Sequence, residues 1–192
     1  MKKIALAAVA LAIAPQAALA QNIPSAVVVI VDGNKAGTEC TACRTALSQL
    51  QQQGQAIQTL RQQLAAPLQS EGQQLQAAID ALKGKQPDAA LQARITAFQT
   101  KQNQAEQQIG TRAQTFERNK EYVLQQIRAK IGPAINAVQA RRRANLVLDA
   151  NATASFSPSL DVTNDVIAEL NRTLTSIGTT APAQTQQQPQ GR

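Results

Sequence analysis

Leu68-Gln-Ser-Glu-Gly-Gln-Gln-Leu75-Gln-Ala-Ala-Ile-Asp-Ala-Leu82-Lys-Gly-Lys-Gln-Pro87 is the stretch whose reading decides the fold. Leu68, Leu75 and Leu82 recur at the heptad step of a coiled coil, and the run then breaks at Gly84-Lys85-Gln86-Pro87. Upstream, Leu50, Ile57 and Leu64 keep the same step, offset from the first row by the jump expected of one stutter. Downstream, Ile95, Ile109, Phe116 and Val123 form one heptad row, with Gln102 in the missing place. Leu91, Phe98 and Ala105 form another, and Ile127 and Ile131 carry the pattern to Gly132-Pro133. Two such segments joined by a tight breaker predict an antiparallel helical hairpin. Arms of about 40 residues are roughly 60 Å long at 1.5 Å per residue. Helices this polar are marginal alone, so each arm needs the other's apolar stripe. Gly54, Pro67, Gly72 and Gly110 interrupt the arms and read as bends in arms that flex.

Outside the hairpin the pattern changes. Ala26-Val-Val-Val-Ile-Val31 is a short β-branched run ending at Asp32-Gly33, which predicts a strand buried on both faces. Turn-rich residues 32–38 follow. After Pro133 the helix resumes through Ala140 and ends near Arg141-Arg142-Arg143. Asn145–Asp149 predicts a second strand and Ala152–Phe156 a third. Asp161 or Thr163 then caps a short helix with Val162, Val166, Ile167, Leu170 and Leu174 on one side. From 177 onward the chain is a Gln/Pro tail of low complexity, expected to be disordered. The fold class is therefore α+β, mainly α. A discontinuous β-rich body (21–40 and 144–176) sends out a helical hairpin arm (41–143). So few strands are marginal in isolation, and self-association is the natural remedy.

The N-terminus reads as a signal peptide over residues 1–20. Lys2 and Lys3 precede the apolar run Ile4–Ala14, and Ala18-Leu19-Ala20 supplies the cleavage pattern, so the mature chain starts at Gln21. The run is too short to span a bilayer. Four aromatics and no Trp cannot fill a large globular interior, while the absence of His removes the commonest general base and metal ligand. No nucleotide loop, catalytic triad or supported carboxylate dyad is present. These absences argue against an enzyme and against a cofactor. An exported chain this poor in aromatics is also no candidate for nucleic acid.

Cys40-Thr-Ala-Cys43 stands at the mouth of the first arm. A helix N-terminus favours a reactive thiolate, but the βαβ context of thioredoxin-type enzymes is missing. In an oxidising compartment, a local disulfide pinning the strand-to-helix turn is the stronger reading. Residues 44–143 carry 14 Lys/Arg against 6 Asp/Glu. A solvated coiled-coil face explains most of these charges individually. A one-signed field also attracts acidic unfolded chains, and Lys83, Lys85, Arg94 and Lys101 near the hairpin tip are the residues best placed for it. Asn151-Ala-Thr153 and Asn171-Arg-Thr173 match the glycosylation pattern by chance.

The strand Ala26–Asp32, the Gln-rich hairpin and the closing block together carry a resemblance. That block reads Asn145-Leu-Val-Leu-Asp-Ala-Asn-Ala152, then Ser157 and Asp161-Val-Thr-Asn-Asp-Val-Ile-Ala-Glu-Leu170. In these features the chain resembles the Skp/OmpH family of periplasmic outer-membrane-protein chaperones over almost its whole mature length. The resemblance implies a homotrimer, with a β-rich body completed by trimerisation and three helical arms around a cavity. It implies an ATP-independent holdase in the periplasm whose partners are unfolded outer-membrane β-barrel proteins. Anionic lipid or lipopolysaccharide is a further candidate partner. The alternative is a structural coiled-coil spacer or tether of the cell envelope. The Cys40–Cys43 pair and the tail depart from better-known members of the family.

Overall fold

The computed structural model describes residues 24–183. The expected signal peptide and the tail beyond 183 lie outside the described residues. Strand β1 (Val28–Val31) leads into helix α1 (Gly33–Glu39) and then into the arms α2 (Thr41–Ala81) and α3 (Ala89–Arg142). Strand β2 (Leu146–Asp149), two short 3-10 turns and helix α4 (Thr163–Thr173) close the body. The strands pair in parallel, Val28 opposite Leu146 and Val31 opposite Asp149. Parallel neighbours require a crossover, and here the whole hairpin supplies it.

The core lies where the arms meet the body. Val29, Val31, Ala36, Val162, Val166, Leu170 and Leu174 pack with Ala46 and Leu50 of α2 and with Val123, Ile127, Ala134 and Val138 of α3. Further out only Leu75, Leu91 and Ala105 are buried, so the distal hairpin has a thin apolar seam. There the register is set by close approaches. A Cβ added at Gly72 would stand 3.2 Å from Phe98 Cζ, and one at Gly54 would stand 3.7 Å from Phe116 Cζ. Gly72 thus makes room for an aromatic ring, and α2 is one continuous helix through Gly54, Pro67 and Gly72.

Three local expectations are corrected. Residues 33–39 form a helix rather than turns, because the Asp32 carboxylate accepts from Lys35 N at 2.9 Å and caps the first turn. Ala152–Phe156 is not a strand. Asp149 instead accepts from Asn151 N at 2.8 Å, folding the chain into a 3-10 turn, and Ile30 bridges to Asp161. Helix α3 runs through Pro133 without the interruption expected there. Burial of Ala134 and Val138 against the body holds the downstream turns in line. It ends at Arg143, in the left-handed region at φ 53°, with Ala144 N donating to Gln139 O at 3.0 Å.

Candidate functional site

The hairpin and its root carry the residues of interest. Cys40 and Cys43 are joined by a disulfide, and both are fully buried. Cys40 Sγ also accepts from Cys43 N at 3.1 Å, so the residue caps α2 and starts the arm. Burial keeps an attacking thiolate away from these sulfurs. The pair sits among Ala36, Ala46 and Leu50 in the core.

The four tip cations are not equivalent. Lys83 and Lys85 lie in the turn between the arms, where Lys83 (φ 47°) and Gly84 (φ 86°) adopt the left-handed conformation that reverses the chain. Both lysines and Arg94 on α3 are exposed and form no ion pair among the described residues. Lys101 is different. Its Nζ donates to both carboxylate oxygens of Glu71, at 2.8 and 2.9 Å, which cancels much of its field. At the root, Arg141 and Arg142 are likewise committed, to Glu169 at 2.8 Å and Asp165 at 2.5 Å. Glu169 is buried beneath Arg172 and Arg141, and hydrogen bonds from these two guanidinium groups hold its carboxyl below the usual carboxylate range.

Two further surfaces stand out, the first where self-association is expected and the second without a signal in the expected sites. The first is the strand edge. β2 is largely exposed, and Val27, Leu146 and Leu148 show 44%, 43% and 38% of their surface to solvent. The second is a groove between the arms. Gln53, Ile57 and Leu60 of α2 face Arg112, Phe116 and Asn119 of α3 around a space of about 530 Å³. Its body-proximal end is crossed by the chain's own residues 177–181. The expected disordered tail is therefore corrected for this part, where hydrogen bonds tie the segment to both arms. The signal that could have found the groove is Asn119. It is a buried polar residue in the stripe of Phe116 and Val123, with Nδ2 donating to Gln53 Oε1 at 2.9 Å.

Among the described residues, no group of three His, Cys, Asp or Glu side chains is placed to hold a metal ion. No helix among them is long and apolar enough to cross a membrane.

The model of a family described as outer membrane protein (OmpH-like) matches residues 27–170. The fold is similar to a crystal structure from Caulobacter crescentus CB15, described as a candidate outer membrane chaperone (OmpH-like). The TM-score is 0.68 at 19% identity, covering 86% of this chain and 95% of that one. Comparison with curated proteins found no match.

Proposed function

Because the chain belongs to the OmpH-like family of outer membrane proteins, we propose that it is an ATP-independent periplasmic holdase. It binds unfolded outer-membrane β-barrel proteins between its arms and prevents their aggregation. The observation that carries this reading is the contrast along the hairpin. The root is packed into a core, whereas the distal arms expose long polar and basic surfaces around a thin apolar seam. Arms built this way suit many weak contacts with a chain that has no fixed shape. Arg61, Lys83, Lys85, Arg94 and Arg112 along them form no ion pair among the described residues, which leaves a positive field for acidic unfolded chains. Binding of this kind needs no catalytic group and no cofactor.

The working unit is a homotrimer. The outer edge of β2, which pairs with no strand among the described residues, and the exposed apolar side chains Leu146, Leu148 and nearby Val27 invite association with other copies, and closed symmetry lets three arms surround one cavity. The chain is exported, is cleaved after Ala20, and works in the periplasm. Cys40 and Cys43 serve as a structural clamp at the root of the arm. Anionic lipid or lipopolysaccharide is a secondary partner for the basic surface.

The experiment is a titration of a dye-labelled, urea-unfolded outer-membrane barrel protein with the mature chain, followed by fluorescence anisotropy. A holdase gives saturable binding near one client per trimer. An envelope spacer leaves the anisotropy unchanged.

A further inference from the structure

Residues 177–181 cross the groove at the root of the arms, and almost all their polar contacts there are made by main-chain atoms. Gln126 Nε2 donates to Gly178 O at 2.8 Å while its Oε1 accepts from Gly178 N at 3.0 Å. Gln53 Nε2 donates to Thr179 O at 3.2 Å, and Asn119 Oδ1 accepts from Ala181 N at 2.9 Å. The one polar side-chain contact is Thr179 Oγ1 with Gln49 Oε1 at 2.8 Å, while the half-buried Ile177 packs against the core and anchors the segment's start. A carboxamide offers a donor and an acceptor to a peptide group, as the edge of a strand does. Gln53, Asn119 and Gln126 therefore present to the chain a short edge that recognises backbone rather than sequence. Beyond Thr180 the groove continues towards the tip, lined by Ile57, Leu60 and Phe116.

We propose that this carboxamide-lined groove is a binding site for extended polypeptide backbone, and that residues 177–181 occupy it as a built-in competitor. The site deepens the holdase reading and rests on it for the identity of the natural ligand, an extended segment of an unfolded client. The competitor is suited to displacement. Its bonds are neutral, Gly178 and Thr180 are exposed, and such bonds are weak once exchange with water is counted. A client segment can make the same backbone bonds and also place apolar side chains against Ile57, Leu60 and Phe116, where the strap contributes the polar Thr180 to the lining. A site that is free for only part of the time binds correspondingly more weakly, so the strap sets an affinity that lets clients leave again.

The test compares two double variants of the mature chain. Gly178→Val with Ala181→Pro loosens the strap and leaves the groove intact. A Cβ at residue 178 would stand 3.2 Å from Tyr122 Cε1, and proline removes the N–H that Asn119 accepts. Gln53→Ala with Gln126→Ala also loosens the strap but removes two of the groove's three carboxamides. The first variant should bind the unfolded barrel protein about fivefold more tightly than wild type, and the second less tightly than wild type. It should also bind a labelled Ile-Gly-Thr-Thr-Ala-Pro-Ala peptide that wild type ignores. Thermal melts by circular dichroism confirm that both variants fold. Equal tightening in both variants, or no peptide binding by the first, overturns the proposal. If wild type binds no client while the strap variant takes the peptide, the groove stands as a polypeptide site and the holdase reading falls.

Discussion

Gly72 and Phe98 face each other across the hairpin so closely that a methyl group at residue 72 would sit 3.2 Å from the ring. Residues 54 and 72 lie as far apart on α2 as 116 and 98 do on α3, so this pair and the Gly54–Phe116 pair share one antiparallel register. The Gln53–Asn119 and Glu71–Lys101 bonds keep the same spacing. Small-against-aromatic pairing thus aligns a seam that has few buried leucines.

That relationship makes the sign of one substitution depend on another. Gly72→Ala gains about 1 kcal/mol of helix propensity, but in the wild type the Phe98 ring must shift to admit the methyl group. The net change in urea-unfolding free energy should lie near zero there and approach about 1 kcal/mol in a Phe98→Ala background. Equal gains in both backgrounds would show that the two residues are not coupled.

The disulfide should matter for stability and not for holding. Cys40→Ser with Cys43→Ser removes a short closed loop worth about 2 kcal/mol, so the melting temperature falls while client binding persists. Lost binding at an unchanged melting temperature would favour a redox role instead.

Glu169 gives a pH dependence of known sign. Its carboxyl is held below its unfolded value, first by the Arg172 hydrogen bond and then by that from Arg141. The stability it contributes is full above the ordinary Glu value, near 4.3, and disappears as pH falls through the lower folded value. Asp161, lowered by its hydrogen bonds from Thr163, acts in the same direction. Melting temperature should therefore decline below about pH 4.3 in wild type. Glu169→Gln should be less stable at pH 7 and show a shallower acid decline; an unchanged decline would remove Glu169 from the account.

Much of this architecture was legible in the sequence because heptad spacing and breaker residues act locally. Leu75, Leu82 and Pro87 placed the first arm and its turn, and Val28–Val31 announced a buried strand. What was not legible depends on partners distant in the chain. Pro133 reads as a break until Ala134 and Val138 are seen packed on the body. Lys101 counts as a free cation until Glu71 is placed opposite it. The 177–181 strap has the composition of a loose tail, and only the facing Gln53, Asn119 and Gln126 give its backbone somewhere to bind.

The tip cations should control capture rate. The Debye length falls from about 10 Å at 0.1 M salt to about 3 Å at 1 M, so stopped-flow association with an unfolded barrel protein should slow as salt rises. Replacing Lys83, Lys85 and Arg94 with Gln should mimic salt, and Lys101→Gln should add little because Glu71 already neutralises it. Rates indifferent to salt and to all four substitutions would leave the charges as a solvated surface.

Assembly should follow the exposed strand edge. Sedimentation equilibrium of the mature chain should give a trimer, and Leu146→Glu with Leu148→Glu should shift it towards monomer, because the charges fall on an apolar contact face. A wild type that is monomeric at micromolar concentration would rule out the trimer.

The central claim is tested most directly by diluting a urea-unfolded outer-membrane barrel protein into buffer and following light scattering with and without the mature chain. The holdase account predicts that scattering is suppressed without ATP, reaching completion near one trimer per client. Scattering that rises unchanged at a severalfold excess of the chain would contradict it.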